Sequence, residues 1–280
     1  MTHHVALIGY PLKRRHSEIM HNAAFEHFSI DARYELREME QQEVPAFVRE
    51  ARGDGWLGFQ VTAPHKQVIM DQLDEIEEGA RQIGAVNSVL RKQDGRLVGF
   101  NTDAPGFQRA AEGELDIRFS GLRVAVAGAG GVARAVTHAL ATAGAESIVI
   151  CDLESERAAD LAARAGESVR AIPVGAEFEG YLGRVDLAVN ATTVGMIQPG
   201  VAFEPGALSD SAVVFDLVYN PPESELLRRT RSRGLRASNG LGMLVAQAAI
   251  AFERWTGVEG SDPIMRAALA ADPGTDQPGA

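Results

Sequence analysis

A run of small residues between a predicted strand and a predicted helix is the first feature that could do chemistry. Residues 128–133 read Gly-Ala-Gly-Gly-Val-Ala, which follows the pattern G-x-G-x-x-[GA]. Glycines let the chain turn tightly and let backbone N–H groups approach a pyrophosphate, and the helix start adds oriented donors. An ordinary glycine turn is the alternative. Because the strand, the helix and the next strand all agree, we predict a dinucleotide site.

Asp152 lies 21 residues after Gly131, at the end of the next predicted strand. A carboxylate there can accept hydrogen bonds from the ribose hydroxyls of adenosine and would repel a 2′-phosphate. Arg157 follows in the next predicted helix, but no basic residue stands directly beside the carboxylate. The sequence therefore favours NAD over NADP. The alternative is that Asp152 caps that helix.

The elements around these residues alternate between strands and helices. Apolar runs predict strands at 5–9, 34–37, 56–61, 123–127, 147–151, 169–172, 185–191 and 213–217, with a hairpin over 85–100. Helical spacing is found at 17–28, 44–51, 131–143, 154–165 and 240–255. Such alternation is typical of an α/β fold whose parallel sheet is covered by helices.

Composition narrows the class of protein. The 280 residues carry 27 basic and 38 acidic side chains, a net charge of −11, which disfavours nucleic acid and anionic lipid as partners. One cysteine, Cys151, excludes an internal disulfide, and no histidine or cysteine spacing suits a metal. No export signal or membrane span is visible. We expect a cytoplasmic monomer or homodimer that binds a small-molecule substrate and no metal, nucleic acid or membrane.

Several short motifs follow one another along the chain. They are Gly-Tyr-Pro at 9–11 with His-Asn at 21–22, Gln-Val-Thr-Ala-Pro-His-Lys at 60–66, Gly-Ala-Val-Asn-Ser at 84–88, Asn-Thr-Asp at 101–103, Asn-Ala-Thr at 190–192, Asp-Leu-Val-Tyr-Asn-Pro at 216–221 and Asn-Gly-Leu-Gly-Met-Leu-Val-Ala-Gln at 239–247. In order and spacing this set resembles the shikimate dehydrogenase family, which includes quinate/shikimate dehydrogenases.

The resemblance implies an α/β protein of two domains. The first is an N-terminal α/β substrate domain, the second a C-terminal Rossmann-type doubly wound domain, and the C-terminal helix packs back on the first. We place the substrate domain at 1–103, the dinucleotide-binding domain at 104–239, the returning helices at 240–270 and a disordered tail at 271–280. The tail contains no residue that forms a core.

The resemblance also implies reversible hydride transfer between a nicotinamide and a ring alcohol. The family's catalytic lysine and aspartate match Lys66 and Asp103. When hydride leaves the carbon, a proton must leave the alcohol oxygen, and in reverse a nascent alkoxide needs a proton donor. A lysine held by a carboxylate suits both directions. The alternatives are a surface lysine at a helix start and an aspartate that caps a helix.

Four further side chains match family positions around the substrate. Asn87 and Gln247 match amides that bind ring hydroxyls, and Thr62 and Tyr219 match positions near the substrate carboxylate. Structural alternatives are a polar residue in a hairpin strand, a satisfied amide in a buried helix and a core tyrosine.

The N-terminal segment departs from the family pattern G-x-P-x-x-x-S-x-S-P-x-x-H-N. Arg15 takes the place of the first serine, Ser17 retains the second, and Glu18 replaces the proline. Gln60 stands where the family usually has asparagine. Arg15 would bind a carboxylate through a two-pronged charge-assisted contact, or it faces water in a solvated basic loop.

The glycine motif and the resemblance together give a set of candidate cofactor residues. These are Gly128, Ala129, Gly130, Gly131, Val132, Ala133, Asp152, Asn190, Thr192, Gly240 and Met243.

We therefore predict an oxidoreductase, with NAD favoured, that acts on shikimate, quinate or a close hydroxylated ring carboxylate. Lys66 is the predicted general acid/base and Asp103 its partner. Two alternatives stay open. One is a dehydrogenase of the same family for another ring acid, such as an aminoshikimate-type substrate. The other is a non-catalytic ligand sensor that keeps the fold, which the retention of both side chains disfavours.

Overall fold

Two sheets organise the chain, and each belongs to its own compact unit. The computed structural model describes residues 2–12 and 14–272. Unit 1 is formed by the residues up to 102 together with those from 245 onward, and unit 2 by residues 103–244. The tail predicted to be disordered, 271–280, lies outside the described residues from 273 onward.

The sheet of unit 1 is mixed. Its strands are β1 (His3–Gly9), β2 (Ala32–Glu38), β3 (Trp56–Val61), β4 (Glu75–Ile76), β5 (Ser88–Arg91) and β6 (Leu97–Phe100), in the order β2-β1-β3-β5-β6-β4. β1 pairs in parallel with β2 and β3, whereas β5 runs antiparallel to β3 and β6. The helices of this stretch are α1 (His16–His27), α2 (Val44–Glu50) and α3 (Glu78–Ile83).

Unit 2 has a six-stranded sheet in which every pairing is parallel. The chain runs through α4 (Asp103–Leu115), β7 (Arg123–Ala127), α5 (Gly131–Thr142), β8 (Ser147–Cys151), α6 (Ser155–Ala165), β9 (Val169–Ala171), α7 (Ala176–Leu182), β10 (Leu187–Asn190), β11 (Val213–Asp216), α8 (Glu225–Ser232) and β12 (Ala237–Ser238). The strand order β9-β8-β7-β10-β11-β12 is that of a doubly wound dinucleotide-binding fold, with its reversal between β7 and β10.

The last two helices are α9 (Leu241–Thr256) and α10 (Asp262–Ala271). α10 packs against α1, and the Phe25 ring of α1 lies 5.2 Å from the Phe252 ring of α9. Trp255 anchors α9 to the sheet of unit 1, since its Nε1 donates to the Val89 carbonyl at 2.9 Å. The predicted fold class is confirmed: an α/β chain with a doubly wound unit, whose last helices return to the first sheet.

Gly58 in β3 makes this anchor possible. A Cβ built on Gly58 would lie 2.1 Å from the Val89 carbonyl oxygen and 2.5 Å from Trp255 Nε1. Only a residue without a side chain therefore fits under the indole, because the nearest obstacle is backbone.

Among the described residues, no helix is long and apolar enough to cross a lipid bilayer.

His21 on α1 is completely buried among aromatic rings. It stacks on Tyr34 with centroids 4.5 Å apart and lies 5.2 Å from the Trp255 ring. Burial lowers the pKa of His21 to about 3, so the folded protein holds this imidazole neutral.

We expect this histidine to make the protein less stable as the pH falls. Unfolded histidine has a pKa of about 6.5, so below that value the unfolded chain binds a proton that the folded chain refuses. This preferential protonation of the unfolded chain lowers the free energy of unfolding by about 2 kcal/mol between about pH 7 and about pH 5. Urea unfolding at a series of pH values should show a flatter pH dependence in His21→Phe than in the wild type. His27→Gln, an exposed change on the same helix, is the control, and identical slopes in His21→Phe and wild type would contradict the prediction.

Candidate active site

In unit 1, the carboxyl ends of the neighbouring parallel strands β1 and β3 are closely packed. Thr62 directly follows β3, and its N–H donates to the Ile8 carbonyl at 2.9 Å. The Tyr10 N–H donates to the Ala63 carbonyl at 3.1 Å, and a Cβ on Gly9 would lie 2.4 Å from Thr62 Cγ2. The glycine in the first motif therefore lets the threonine of the second lie against the end of β1.

Lys66 lies in the turn that follows, half-buried, before any regular helix begins. Its carbonyl accepts the Val86 N–H at 2.9 Å. The His65 N–H donates to the Thr62 carbonyl at 2.9 Å, and the buried His65 ring contacts the Met39 carbonyl through Nε2 at 2.8 Å. The turn that carries Lys66 is thus tied to two other segments, to Val86 through the Lys66 carbonyl and to Met39 through the His65 ring.

A chain of buried hydrogen bonds crosses unit 1 beside this turn. The Tyr34 hydroxyl donates to Gln60 Oε1 at 2.6 Å, and Gln60 Nε2 donates to Gln247 Oε1 at 3.0 Å. The Thr102 hydroxyl donates to the same Gln247 oxygen at 3.3 Å. Burial of so many polar groups is tolerated because each is paired.

Asn87 joins the same cluster through Thr102. Its Oδ1 accepts the Thr102 N–H at 2.8 Å, and its Nδ2 donates to the Thr102 hydroxyl at 3.0 Å. The structure therefore brings together three predicted substrate residues: Gln60 from β3, Asn87 immediately before β5, and Gln247 from α9. Sequence reasoning missed Tyr34 and Thr102 as members of the cluster, although Thr102 stands inside a recognised motif.

Arg15, immediately before α1, is exposed and paired. Its Nε donates to Glu18 Oε2 at 2.7 Å, and this hydrogen bond raises the pKa of Arg15. An exposed pair of this kind contributes little to stability. The Ser17 hydroxyl, two residues further on, interacts with the phenol of Tyr34.

In unit 2, the glycine loop leaves β7 beside the point where the strand order reverses. The Gly128 N–H donates to the Cys151 carbonyl at 2.7 Å. Gly128 has φ of 107°, and a Cβ there would lie 2.8 Å from the Ala191 carbonyl oxygen. Nothing lies within 4 Å of a Cβ built on Gly130 or Gly131. The loop therefore has room on its outer side and points the start of α5 at that space, which fits a pyrophosphate.

Asp152 ties this loop to the start of the next helix. Its Oδ2 accepts the Ala129 N–H at 2.7 Å, and its Oδ1 accepts the Glu154 N–H at 2.9 Å. Leu153 beside it is almost fully exposed. Arg157, one turn into α6, pairs with Glu154 at 2.9 Å.

The loops after β10 and β11 share a buried carboxylate, Asp216. Its Oδ1 accepts Asn190 Nδ2 at 2.8 Å and the Val218 N–H at 3.1 Å, while Ser224 donates to Oδ2. Asn190 Oδ1 in turn accepts the Thr192 hydroxyl at 2.7 Å. Burial raises the pKa of Asp216. This carboxylate shapes both loops, and the signal for it was an aspartate at the end of a wholly apolar strand.

The segment before α9 is held just as closely. The Gly240 N–H donates to the Val218 carbonyl at 3.2 Å, and a Cβ on Gly240 would lie 2.1 Å from the Leu217 carbonyl oxygen. A Cβ on Gly242 would lie 2.1 Å from Glu114 Oε1. Gly240 is therefore required, because its obstacle is backbone, whereas a side chain at Gly242 would have to displace the end of Glu114. This packing fixes the start of the helix that carries Met243.

Three other predicted residues lie in or beside elements of unit 2. Met243 and Asp103 are buried, with Asp103 as the first residue of α4, and Tyr219 is half-buried after β11. Within 2–12 and 14–272, no group of three or more His, Cys, Asp or Glu side chains is arranged to hold a metal ion.

Three family models match the chain in order. They describe the shikimate dehydrogenase substrate binding domain at residues 7–89, shikimate / quinate 5-dehydrogenase at 109–198 and the shikimate 5'-dehydrogenase C-terminal domain at 240–270. A relative from Geobacillus kaustophilus, named shikimate dehydrogenase (NADP(+)), is 42% identical over 254 residues, which cover 90% of this chain and 91% of the relative.

Solved structures of similar proteins cover nearly the whole chain. Shikimate 5-dehydrogenase from Thermus thermophilus, in complex with NADP(H) and shikimate, has a TM-score of 0.85 and 34% identity, covering 95% of this chain and 100% of the other. Quinate dehydrogenase from Corynebacterium glutamicum, in complex with NAD, has a TM-score of 0.91 and 32% identity, covering 97% and 99%.

The prediction that NAD is the favoured cofactor is wrong. The Geobacillus relative is named as NADP(+)-dependent, and the Thermus structure contains NADP(H). The prediction treated Asp152 as a carboxylate available to ribose hydroxyls. In the structure each of its oxygens accepts one backbone N–H group, so this carboxylate has a second role in organising the loop, which the prediction did not consider.

Proposed function

This chain belongs to the shikimate dehydrogenase family, and we propose that it catalyses reversible hydride transfer between NADP(H) and the ring alcohol of shikimate or a close hydroxylated ring carboxylate. The family models and the Geobacillus relative confirm the resemblance that the motifs predicted. The observation that carries the proposal is the buried set of amides in unit 1, where Gln60, Asn87 and Gln247 are hydrogen-bonded into one cluster.

The amide cluster suits a ring that carries several hydroxyls. An amide offers both donors and acceptors, so it can bind a hydroxyl in either sense. A site that is built to hydrogen-bond hydroxyl groups rejects analogues without them, because its buried polar groups would then be left unpaired. We assign Asn87 and Gln247 to the ring hydroxyls, and Thr62, Tyr219, Ser17 and Arg15 to the side of the carboxylate.

Lys66 moves the proton in this proposal. When the alcohol is oxidised, the hydride leaves its carbon and Lys66 Nζ takes the proton from the alcohol oxygen; in reduction it returns that proton. Asp103 holds the ammonium and contacts the same hydroxyl. The fixed backbone of the Lys66 turn supports this role, since proton transfer requires a donor and acceptor in one geometry.

The dinucleotide belongs to unit 2 in this proposal. NADP(+) would supply the hydride acceptor when bound. Residues 128–133 would hold its pyrophosphate, Asn190 and Thr192 shape the neighbouring loop, and we assign Gly240 and Met243 to its nicotinamide. We assign the 2′-phosphate to Arg157, whose guanidinium now pairs with Glu154.

We expect shikimate oxidation to be faster with NADP(+) than with NAD(+). A substrate panel of shikimate, quinate and an aminoshikimate, crossed with both cofactors and followed by absorbance of the reduced nicotinamide, measures it. kcat/KM for NADP(+) should exceed that for NAD(+) by about tenfold, because a guanidinium–phosphate contact adds roughly 1–2 kcal/mol.

Two variants on α6 test the origin of that preference. Arg157→Gln should remove most of it, whereas Arg164→Gln, an exposed arginine that pairs with Asp160, should leave it intact. A wild-type enzyme that uses NAD(+) as well as NADP(+) would contradict the cofactor assignment.

A second candidate is a dehydrogenase for a different ring acid of the same class. The observation that favours it is the Arg15–Glu18 ion pair, which stands where the family pattern has a serine and a proline. A carboxylate at this point would attract an amino-substituted ring. Turnover of an aminoshikimate above that of shikimate in the same panel would establish it, and turnover of no ring acid would leave a ligand sensor.

A further inference from the structure

We propose that Tyr34 is a positioning residue of the substrate site, whose hydroxyl sets the orientation of the Gln60 amide and, through it, that of the Gln247 amide. This inference rests on the proposed function, since Gln247 is assigned there to the ring hydroxyls. Tyr34 itself lies in β2 and belongs to none of the motifs that carry the family resemblance.

The order of donors and acceptors in this chain follows from the Gln60 oxygen that faces the phenol. A carbonyl oxygen carries no proton, so the phenol must donate to Gln60 Oε1 at 2.6 Å. The Nε2 end of Gln60 then faces Gln247 Oε1 at 3.0 Å. Because Gln247 presents its oxygen to Gln60 and to Thr102, its amine end is directed the other way.

An amide needs such a constraint because its two ends have nearly the same shape. Packing alone distinguishes oxygen from amine poorly, and the hydrogen-bond network decides between the two orientations. Without the phenol proton, Gln60 would be able to rotate and offer its oxygen to the oxygen of Gln247. The amide of Gln247 would then lose its fixed orientation, and a ring hydroxyl would meet the wrong group in part of the population.

The surroundings of Tyr34 fix the position of its ring and keep its hydroxyl protonated. Its ring is fully buried and stacked on His21 with an interplanar angle of 10°. Burial raises the pKa of Tyr34, so the phenol keeps its proton throughout the neutral range. The neutral ring of His21 adds no charge that would draw the proton away.

The length of Gln60 matches this task. β2 and β3 both pair with β1, so their backbones lie roughly 10 Å apart, two strand spacings. Tyr34 and Gln60 bridge that gap over the intervening strand. An asparagine at position 60, which is usual in the family pattern, is one methylene shorter and would not reach the phenol while also contacting Gln247.

The test is a steady-state comparison with shikimate and NADP(+). Tyr34→Phe removes only the hydroxyl and should raise KM for shikimate about tenfold, with kcat changed less than about twofold and KM for NADP(+) unchanged. Tyr181→Phe, which removes a hydroxyl that lies 3.2 Å from Ser147 Oγ in unit 2, is the matched control and should change none of the three constants. A tyrosine with a merely structural role would instead lower kcat and weaken both ligands together.

A double variant decides whether Tyr34 acts through Gln60. In the Gln60→Asn background, Tyr34→Phe should leave KM for shikimate unchanged within about twofold. An equal rise in both backgrounds, or no rise in Tyr34→Phe alone, would overturn the inference. If Tyr34→Phe does not fold, Gln60→Leu must raise KM for shikimate without changing KM for NADP(+), and an unchanged value also overturns it. A wild-type protein that oxidises no ring acid would instead defeat the proposed function.

Discussion

Lys66→Met is expected to lower kcat for shikimate oxidation by about 10³-fold, while KM for NADP(+) changes less than about twofold. Methionine keeps most of the length and volume of the side chain but cannot exchange a proton, and general acid–base catalysis contributes about 10²–10⁴-fold. The half-buried turn that holds position 66 is fixed by backbone hydrogen bonds, so the substitution leaves the fold intact. Initial rates and cofactor titrations of purified protein measure both quantities.

The chain offers a clean control for this experiment. It contains three lysines, Lys13, Lys66 and Lys92. Lys92 pairs with Glu75 at 2.8 Å on the surface of unit 1, and Lys92→Met should retain the wild-type rate. A small primary amine added to Lys66→Ala should recover part of the lost activity. Wild-type turnover in Lys66→Met would refute the assignment of this residue as the proton-transfer group.

Gly58→Ala is expected to destabilise the protein by about 3 kcal/mol or more. The new methyl group would overlap the Val89 carbonyl and the indole nitrogen of Trp255, which are hydrogen-bonded to each other at 2.9 Å. To remove this overlap, either β3 must shift away from β5 or the indole must lose its hydrogen bond to Val89. Overpacking costs about 1–3 kcal/mol, and a buried donor left without its acceptor costs a similar amount. Urea unfolding, followed by tryptophan fluorescence, measures the change.

Gly79→Ala provides the comparison. Gly79 lies in α3 of the same unit, and nothing lies within 4 Å of a Cβ built there. Alanine at a helical position should stabilise by about 0.5–1 kcal/mol. Equal unfolding midpoints for the two alanine variants would show that the indole is not held as closely as the geometry indicates.

The dinucleotide-binding unit was predictable because its signals are local. The glycine loop, its strand and its helix are consecutive in sequence, and the periodicity of residues 123–151 reports them directly. The role of Asp152 was not local. Its two oxygens accept N–H groups from Ala129 and Glu154, and only the folded loop shows that this carboxylate anchors the loop.

The substrate side was predictable only through resemblance. Gln60 and Gln247 are far apart in sequence, and nothing in their local pattern indicates that they share a hydrogen bond. Tyr34 was interpreted as part of an alternating strand. That interpretation is correct for its backbone, but it did not predict the hydrogen bond of its hydroxyl. A buried phenol must find a partner, so a tyrosine in a core strand is a usable sign of a polar cluster nearby.

The short elements escaped the sequence pattern for a different reason. α3, α7 and β12 contain two to seven residues each, fewer than the two helical turns or four strand positions that a periodicity requires. They are stabilised by their neighbours, as Arg254 shows for the region of α3: it pairs with Glu77 just before that helix and lies over the Phe100 ring.

The division of unit 1 into two stretches of sequence has a consequence for biosynthesis. Unit 2 is one continuous segment, residues 103–244, whereas unit 1 needs residues from 245 onward to seat Trp255 on Val89 and α10 on α1. Domains fold as the ribosome releases them. Unit 2 can therefore reach its native state before unit 1 does. Until the last helices emerge, the N-terminal part of unit 1 keeps apolar surface exposed that those helices later cover.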